Sequence, residues 1–221
     1  MQTFQTPAPI SAVLHIPAGR IQFIAADRTD TTVEVRPANP AKGRDVKAAD
    51  QATVEYADGV LHIAAAEPKN QYFGPTGSLE ITVQLPAGSG VQATTASCEL
   101  RGVGRLGEVA FTGAYKQIKI DEAASVRLTA VDGDVQVGRL TGPAQITTAR
   151  GSIRITEAAR GTVELRTGMG EITVGAAAGA SAVLSADTGH GRIDNALKND
   201  GTAALEIHAT TGHGNITAHS H

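Results

Sequence analysis

Seven copies of one short pattern fill the chain from residue 91 to the C-terminus. They are TASCEL (95–100), GAYKQI (113–118), AVDGDV (130–135), TARGSI (148–153), TGMGEI (167–172), TGHGRI (188–193) and TGHGNI (211–216). Their closing residues are Leu100, Ile118, Val135, Ile153, Ile172, Ile193 and Ile216, spaced 18, 17, 18, 19, 21 and 23 residues apart. A unit this short cannot bury a core by itself. The copies must stack, each covering the next, into an elongated body.

With each closing residue as position zero, the apolar slots fall at −9, −7, 0 and +2. Position −9 holds Val91, Val109, Val126, Ala144, Val163, Leu184 and Ile207; position +2 holds Gly102, Ile120, Val137, Ile155, Val174, Asn195 and Ala218. Of the 28 slots, 26 are apolar, and Gly102 and Asn195 are the exceptions. The residues on either side of zero are all polar, from Glu99 and Arg101 to Asn215 and Thr217. Alternation of period two on both sides of a short gap means two half-buried strands and not a helix. The gap often reads T-G-x-G, where glycine permits the positive φ of a tight corner. The fold class is therefore all-β, a parallel β-solenoid whose coils lie about 4.8 Å apart. Right-handed coiling is the default for parallel crossovers. Small Ala and Gly slots predict a narrow interior without a ligand cavity, so no small-molecule substrate is expected.

The pattern divides the 221 residues into a strand-rich region over 1–90 and a seven-repeat solenoid over 91–221. In the first region AVLHI (12–16) and RIQFIAA (20–26) flank a P-A-G turn, and TTVEV (31–35) ends at Pro37. Residues 37–51, rich in Pro, Ala and charge, read as a loop, and residues 67–77 as a second one. TVEY (53–56) and VLHIAA (60–65) flank Ala57-Asp58-Gly59, a hairpin signal. SLEITVQL (78–85) is one more alternating strand. This region forms early coils or a small cover, and either protects one end of the stack. At the other end the last copy closes on Ile216, Thr217 and Ala218 with no covering segment after it. That end is the expected site of self-association, because unpaired backbone groups invite another chain.

Composition narrows the function. Net charge is −3 and no Lys/Arg run exists, so nucleic acid is not an expected partner. Aromatic residues make up 3% with no Trp, which removes a stacking platform for bases or sugars. No apolar run approaches the ~20 residues of a membrane span. Met1–Leu14 lacks the basic and apolar regions of an export signal, and a cytoplasmic location is expected. The single cysteine, Cys98, reads as a small buried hydrophobe.

Candidate chemistry is sparse. His190 and His213 occupy the same place in two T-G-H-G corners and should stack on neighbouring coils, with His219 and His221 near the same end. Zinc, nickel or copper accept such ligands. Equivalent corners carry Asp132, Arg150 and Met169, however, so the position reads as an exposed one that accepts any side chain. No metal or other cofactor is expected. Thr148, Thr167, Thr188 and Thr211 recur before the corner glycines, where hydroxyls cap backbone groups. Between the +2 slot and the next −9 slot lie 6, 5, 6, 7, 9 and 11 residues. This growth reads as loop insertion, which costs little. Asp132 and Asp134 lie close together, but corner geometry explains them, and no catalytic residues are assigned.

The alternating T-x-x-G-[DSER]-I-x-[IV] copies resemble the uncharacterised bacterial β-strand-repeat family labelled "putative adhesins". So do G-R-I-Q-F-I-A-A (19–26), T-V-E-V-R-P (32–37), G-V-L-H-I (59–63) and S-L-E-I-T-V-Q-L-P-A-G-S (78–89) ahead of them. The closing H-A-T-T-G-H-G-N-I-T-A (208–218) is similar to the actinobacterial branch. More distantly, coils of about 18 residues resemble those of bactofilins, cytoplasmic solenoids that polymerise end to end. The resemblance implies a fold and transfers no catalytic residue. Together these readings predict a non-enzymatic cytoplasmic scaffold that binds itself, end to end through the C-terminal coil, or a protein partner. The alternative is an adhesin-like surface or cell-envelope protein.

Overall fold

The computed structural model describes residues 1–65, 77–113 and 117–221. Apart from Gly77, the polar loop read over residues 67–77 lies outside the described residues. The first ninety residues form β1 (Gln2–Gln5), β2 (Ser11–Ala26), β3 (Asp30–Pro37), β4 (Thr53–Ala57), β5 (Val60–Ala64) and β6 (Leu79–Pro86), with helix α1 (Gly43–Asp50) between β3 and β4. The long strands β7 (Gly90–Thr112) and β8 (Ile118–Asp132) follow. Each bends to serve two sides of the stack. Then come β9 (Val135–Leu140), β10 (Ala144–Arg150), β11 (Ile153–Ala158), β12 (Gly161–Met169) and β13 (Ile172–Ala176). The last four are β14 (Ala182–His190), β15 (Ile193–Ala196), β16 (Leu205–His213) and β17 (Ile216–Ser220).

Parallel pairing brings the equivalent residues of successive coils side by side, and the chain is a parallel β-solenoid. At position zero the ladder runs Ile81, Ile21, Leu100, Ile118, Val135, Ile153, Ile172, Ile216, Ile193. All but the last are at most 1% exposed, while Ile193 is 44% exposed. Burying each such side chain contributes about 1.5–3 kcal/mol before ordering costs. Gly102, one of the two non-apolar slots, pairs with the fully buried Phe23. A Cβ there would come within 2.8 Å of Leu106 Cδ1, so a larger residue would have to displace the end of that buried leucine side chain.

The order of that ladder departs from the order of the chain. β16 and β17 do not follow β14 and β15 in the stack. They insert between β12–β13 and β14–β15, so that Ile172 meets Ile216 and Ile216 meets Ile193. The C-terminal coil expected at the end of the stack is therefore interior. Ile216, Thr217 and Ala218 have partners on both sides: Ile172, Thr173 and Val174 on one, Ile193, Asp194 and Asn195 on the other. The physical reason lies in the second non-apolar slot. Stacking in chain order would bury Asn195 between Val174 and Ala218. Burying an amide among apolar groups costs about 1–3 kcal/mol. Exchange places the apolar coil of Leu205, Ile207, Ala209, Ile216 and Ala218 inside and leaves Asn195 exposed. The loops that lengthen to 9 and 11 residues perform the exchange. The first must carry the chain about 9.6 Å along the stack instead of 4.8 Å, and the second brings it back.

The opposite end is closed. β5 and β6 lie parallel to the two halves of β2 and complete the first coil. Pairing then turns antiparallel: β4 on β5, β3 on β6 and β1 on β3. Phe4 of β1 and Tyr56 of β4 meet with ring centroids 5.5 Å apart and bridge the two edges. The β4–β5 hairpin turns at Asp58 and Gly59, with φ of 50° and 77°, as the Asp-Gly pair predicts.

Residues 37–51, read as a loop, contain α1 instead. Arg44, Lys47, Ala48 and Ala49 are good helix formers. Its inner face is Asp45, Ala48 and Ala49, too polar and too small to announce a helical period in the sequence, and the two alanines pack on the apolar core. Asp45 is 3% exposed and accepts a hydrogen bond from the Ser78 N–H at 3.0 Å, which ties the helix to the start of β6.

The exchanged order is testable with paired cysteines. T173C/T217C should form a disulfide readily under mild oxidation, because these residues are register neighbours. T173C/D194C should not, since two coil spacings exceed the Cα separation a disulfide spans. A chain-ordered stack gives the reverse result. In urea denaturation, Ile172→Ala should cost about 2–5 kcal/mol. Ile193→Ala should cost less than about half of that, since this isoleucine is already partly in water.

Candidate functional site

The corners between paired strands carry a row of equivalent side chains. Asp132, Arg150, Met169, His213 and His190 lie in register in that order. The predicted stacking of His190 on His213 is present, with ring centroids 4.7 Å apart and planes within 3° of parallel. His219 and His221 do not join them. His213 ends β16 at the corner, whereas His219 lies in β17 and His221 just beyond it. The two C-terminal imidazoles contact each other edge to face at 5.1 Å, and His221 Nε2 lies 2.9 Å from the Thr156 carbonyl oxygen. Among the described residues, no group of three or more His, Cys, Asp or Glu is placed to hold a metal. Among the described residues the corner stack supplies two imidazoles and no third His, Cys, Asp or Glu.

Other singled-out residues have structural duties. Thr167 and Thr211 donate to the carbonyls of Gly151 and Gly170 at 2.9 and 3.0 Å, and Thr188 donates to that of Gly214 at 3.0 Å. Thr148 donates to Arg150 O at 3.0 Å. The threonine row thus satisfies corner carbonyls, as its position predicts. Asp132 pairs with Arg150 at 3.6 Å, and Asp134 accepts from the Ser152 N–H at 2.8 Å. Cys98 is fully buried, with Sγ 3.8 Å from the Ile16 carbonyl oxygen. On the outer face a shallow depression of about 420 Å³ is lined by Glu108, Arg127, Gln145 and Glu164. It mixes both signs of charge.

The distinctive surface is the last coil of the stack, β14–β15. β14 pairs in register with β16 and β15 with β17, and among the described residues neither has a strand on its other side. The Ala182 N–H at the start of β14 donates to the Lys198 carbonyl, which covers one corner of the edge. Core slots are partly open here. Ile193 is 44% exposed, and Leu184 and Ala186 are only partly buried. Sequence reasoning placed the open end on Ile216, Thr217 and Ala218, one coil away. Asn195 and the long loops were the signals that could have found it.

A parallel β-solenoid with one end closed by antiparallel strands and, among the described residues, no strand beyond the other defines the class. The family model described as Toastrack DUF4097 matches residues 12–221, and the chain belongs to that family. No curated protein matches it. Among solved structures, a "putative adhesin" from Bacteroides fragilis NCTC 9343 is 14% identical, covering 98% of this chain and 95% of that one with a TM-score of 0.51. A "putative cell adhesion protein" from Clostridium sporogenes ATCC 15579 is 12% identical over 100% of this chain and 98% of that one, with a TM-score of 0.42. A "putative lipid binding protein" from Parabacteroides distasonis ATCC 8503 is 12% identical over 97% and 95%, with a TM-score of 0.39. At 14% identity the first of these shows a shared fold.

The corner threonines carry one measurable consequence. Thr211 is 1% exposed, and Thr211→Val would leave the Gly170 carbonyl without its hydroxyl donor. The variant should lose about 1–3 kcal/mol in chemical denaturation. Thr211→Ser should lose less, because it keeps the donor.

Proposed function

We propose that the protein is a non-enzymatic cytoplasmic scaffold that acts by binding protein, a second copy of itself or another chain, through an exposed strand edge. The bare β14–β15 coil is the observation that carries this reading. Among the described residues neither strand has a partner on its outer side, and Ile193, the first residue of β15, is 44% exposed. Backbone pairing would provide affinity and outward side chains would set the register. The likeness to bactofilins in coil length supports an assembling role by architecture alone.

The alternative reading is an adhesin-like protein of the surface or cell envelope. The descriptions of the Bacteroides and Clostridium structures favour it, and neither shares more than 14% of its residues with this chain. Fractionation of the native host with chemical cross-linking separates the two. The first reading expects the protein in the cytosolic fraction, cross-linked into species larger than a monomer. Recovery in the envelope fraction would remove the cytoplasmic scaffold and favour the alternative. A cytosolic protein that never cross-links to any protein would remove both.

A further inference from the structure

We infer that His219, His221 and the Thr156 carbonyl form a binding site for one divalent transition-metal cation, with Cu2+ held more tightly than Zn2+. The site lies away from the bare edge and is independent of what that edge binds.

Residues two apart in an extended chain point to the same face, which puts both imidazoles on the outside of β17. The glycine beside them makes them a site. Gly175 of β13 is the register neighbour of His219 on one side, and Ala196 of β15 is its neighbour on the other. Both rings lean over β13. A Cβ at Gly175 would sit 2.7 Å from His221 Nε2 and 3.3 Å from His219 Nε2, and closer still to the Thr156 carbonyl oxygen of β11. Two imidazole nitrogens and a carbonyl oxygen thus surround one point, and the point is open because residue 175 is glycine.

The spacing suits a small cation. His221 Nε2 lies 2.9 Å from the Thr156 oxygen. Two ligands at a right angle about a cation with bonds of about 2.0–2.1 Å have this separation, and right angles are those of tetragonal Cu2+ sites. Tetrahedral Zn2+ requires a wider angle, and Cu2+ also exceeds Zn2+ in affinity for such donors. The His219 ring meets the His221 ring at 76° with centroids 5.1 Å apart, and a rotation of that ring brings its Nε2 to a third position. Water supplies the remaining ligands. Without metal, the His221 Nε2–H donates to the carbonyl. On binding, that proton passes to Nδ1 of the same exposed ring, and the cation takes its place between nitrogen and oxygen.

The corner pair lacks this geometry. His190 and His213 are parallel within 3° and stacked at 4.7 Å, so their in-plane lone pairs run side by side and do not converge. Coil exchange is what assembles the site. In chain order Gly175 would neighbour Ala196, and His219 would lie one coil further from Thr156. In the exchanged stack β17 pairs with β13 and β13 with β11, so a bound cation ties the inserted coil to one two coils away.

Calorimetric titration of the full chain, purified without a histidine tag, with Cu2+ or Zn2+ alone tests this. Wild type should bind one Cu2+ per chain, more tightly than Zn2+, and electron paramagnetic resonance should show two imidazole nitrogens on the copper. H219A and H221A should each weaken Cu2+ binding by roughly a hundredfold, the gain from holding two ligands at once. H190A/H213A should bind like wild type. The three donors come together only in the folded chain, so Cu2+ should raise the melting temperature of wild type and not that of H219A or H221A. A wild type that takes up no stoichiometric Cu2+ would overturn the inference. Binding unchanged in H219A and H221A, or lost in H190A/H213A, would overturn this location. Tight binding with no rise in melting temperature would remove Thr156 and the place above Gly175, because two histidines alone chelate equally well on an unfolded chain.

Discussion

The in-register parallel ladder is the constraint on which the rest depends. Each coil has strands of only four to nine residues on its two sides at the C-terminal end, too short to hold a sheet alone. Nine position-zero residues in one row, from Ile81 to Ile193, turn many weak units into one continuous core. Nearest-neighbour stacking of this kind makes stability a sum over adjacent coils. What a coil contributes then depends on how many neighbours it has. Ile172 and Ile216 have two and are at most 1% exposed; Ile193 has one and is 44% exposed.

The corners keep that register from slipping. Glycine at the later corners lets one backbone pass close under the next. A Cβ at Gly151, where φ is 127°, would sit 2.2 Å from the Gly133 carbonyl oxygen, and one at Gly170 would sit 2.1 Å from that of Gly151. Thr167 and Thr211 then close hydrogen bonds to carbonyls on the coil beside them, and Asp134 and Asn215 accept N–H groups from neighbouring coils. Sliding one coil by a single residue would break these side-chain contacts and turn the apolar slots outward.

Most of the fold was legible because a period of two, repeated every 17 to 23 residues, has one physical solution. The hairpin at Asp58-Gly59 and the stacked His190 and His213 were legible for the same local reason. Helix α1 was not, because Asp45, Ala48 and Ala49 carry its inner face. The order of the last two coils was not either. Periodicity says that Ile172, Ile193 and Ile216 occupy one slot, and it is blind to which of them lie next to each other. The information was present as Asn195 in an apolar slot and as two lengthening loops. Read as exceptions, they looked like noise; read as energetics, they say that one coil is unfit for the interior and that the chain has slack to move it. The open edge, and with it the candidate site, depended on that reading.

Coil exchange also separates two properties that chain order would join. In a stack built in sequence, the coil at the end of the chain is the coil left bare, whatever its composition. Here the apolar coil of β16–β17 is taken inside, and the coil left bare carries Arg192, Asp194 and Asn195. An edge of uninterrupted Val and Ile would pair with almost any strand it met, whereas charged edge residues suppress indiscriminate pairing. They do so at an energy of a few tenths to about 1 kcal/mol per opposed pair, and the sign depends on what lies across. The bare coil is then an edge protected against general aggregation by its own charged side chains, Arg192 and Asp194.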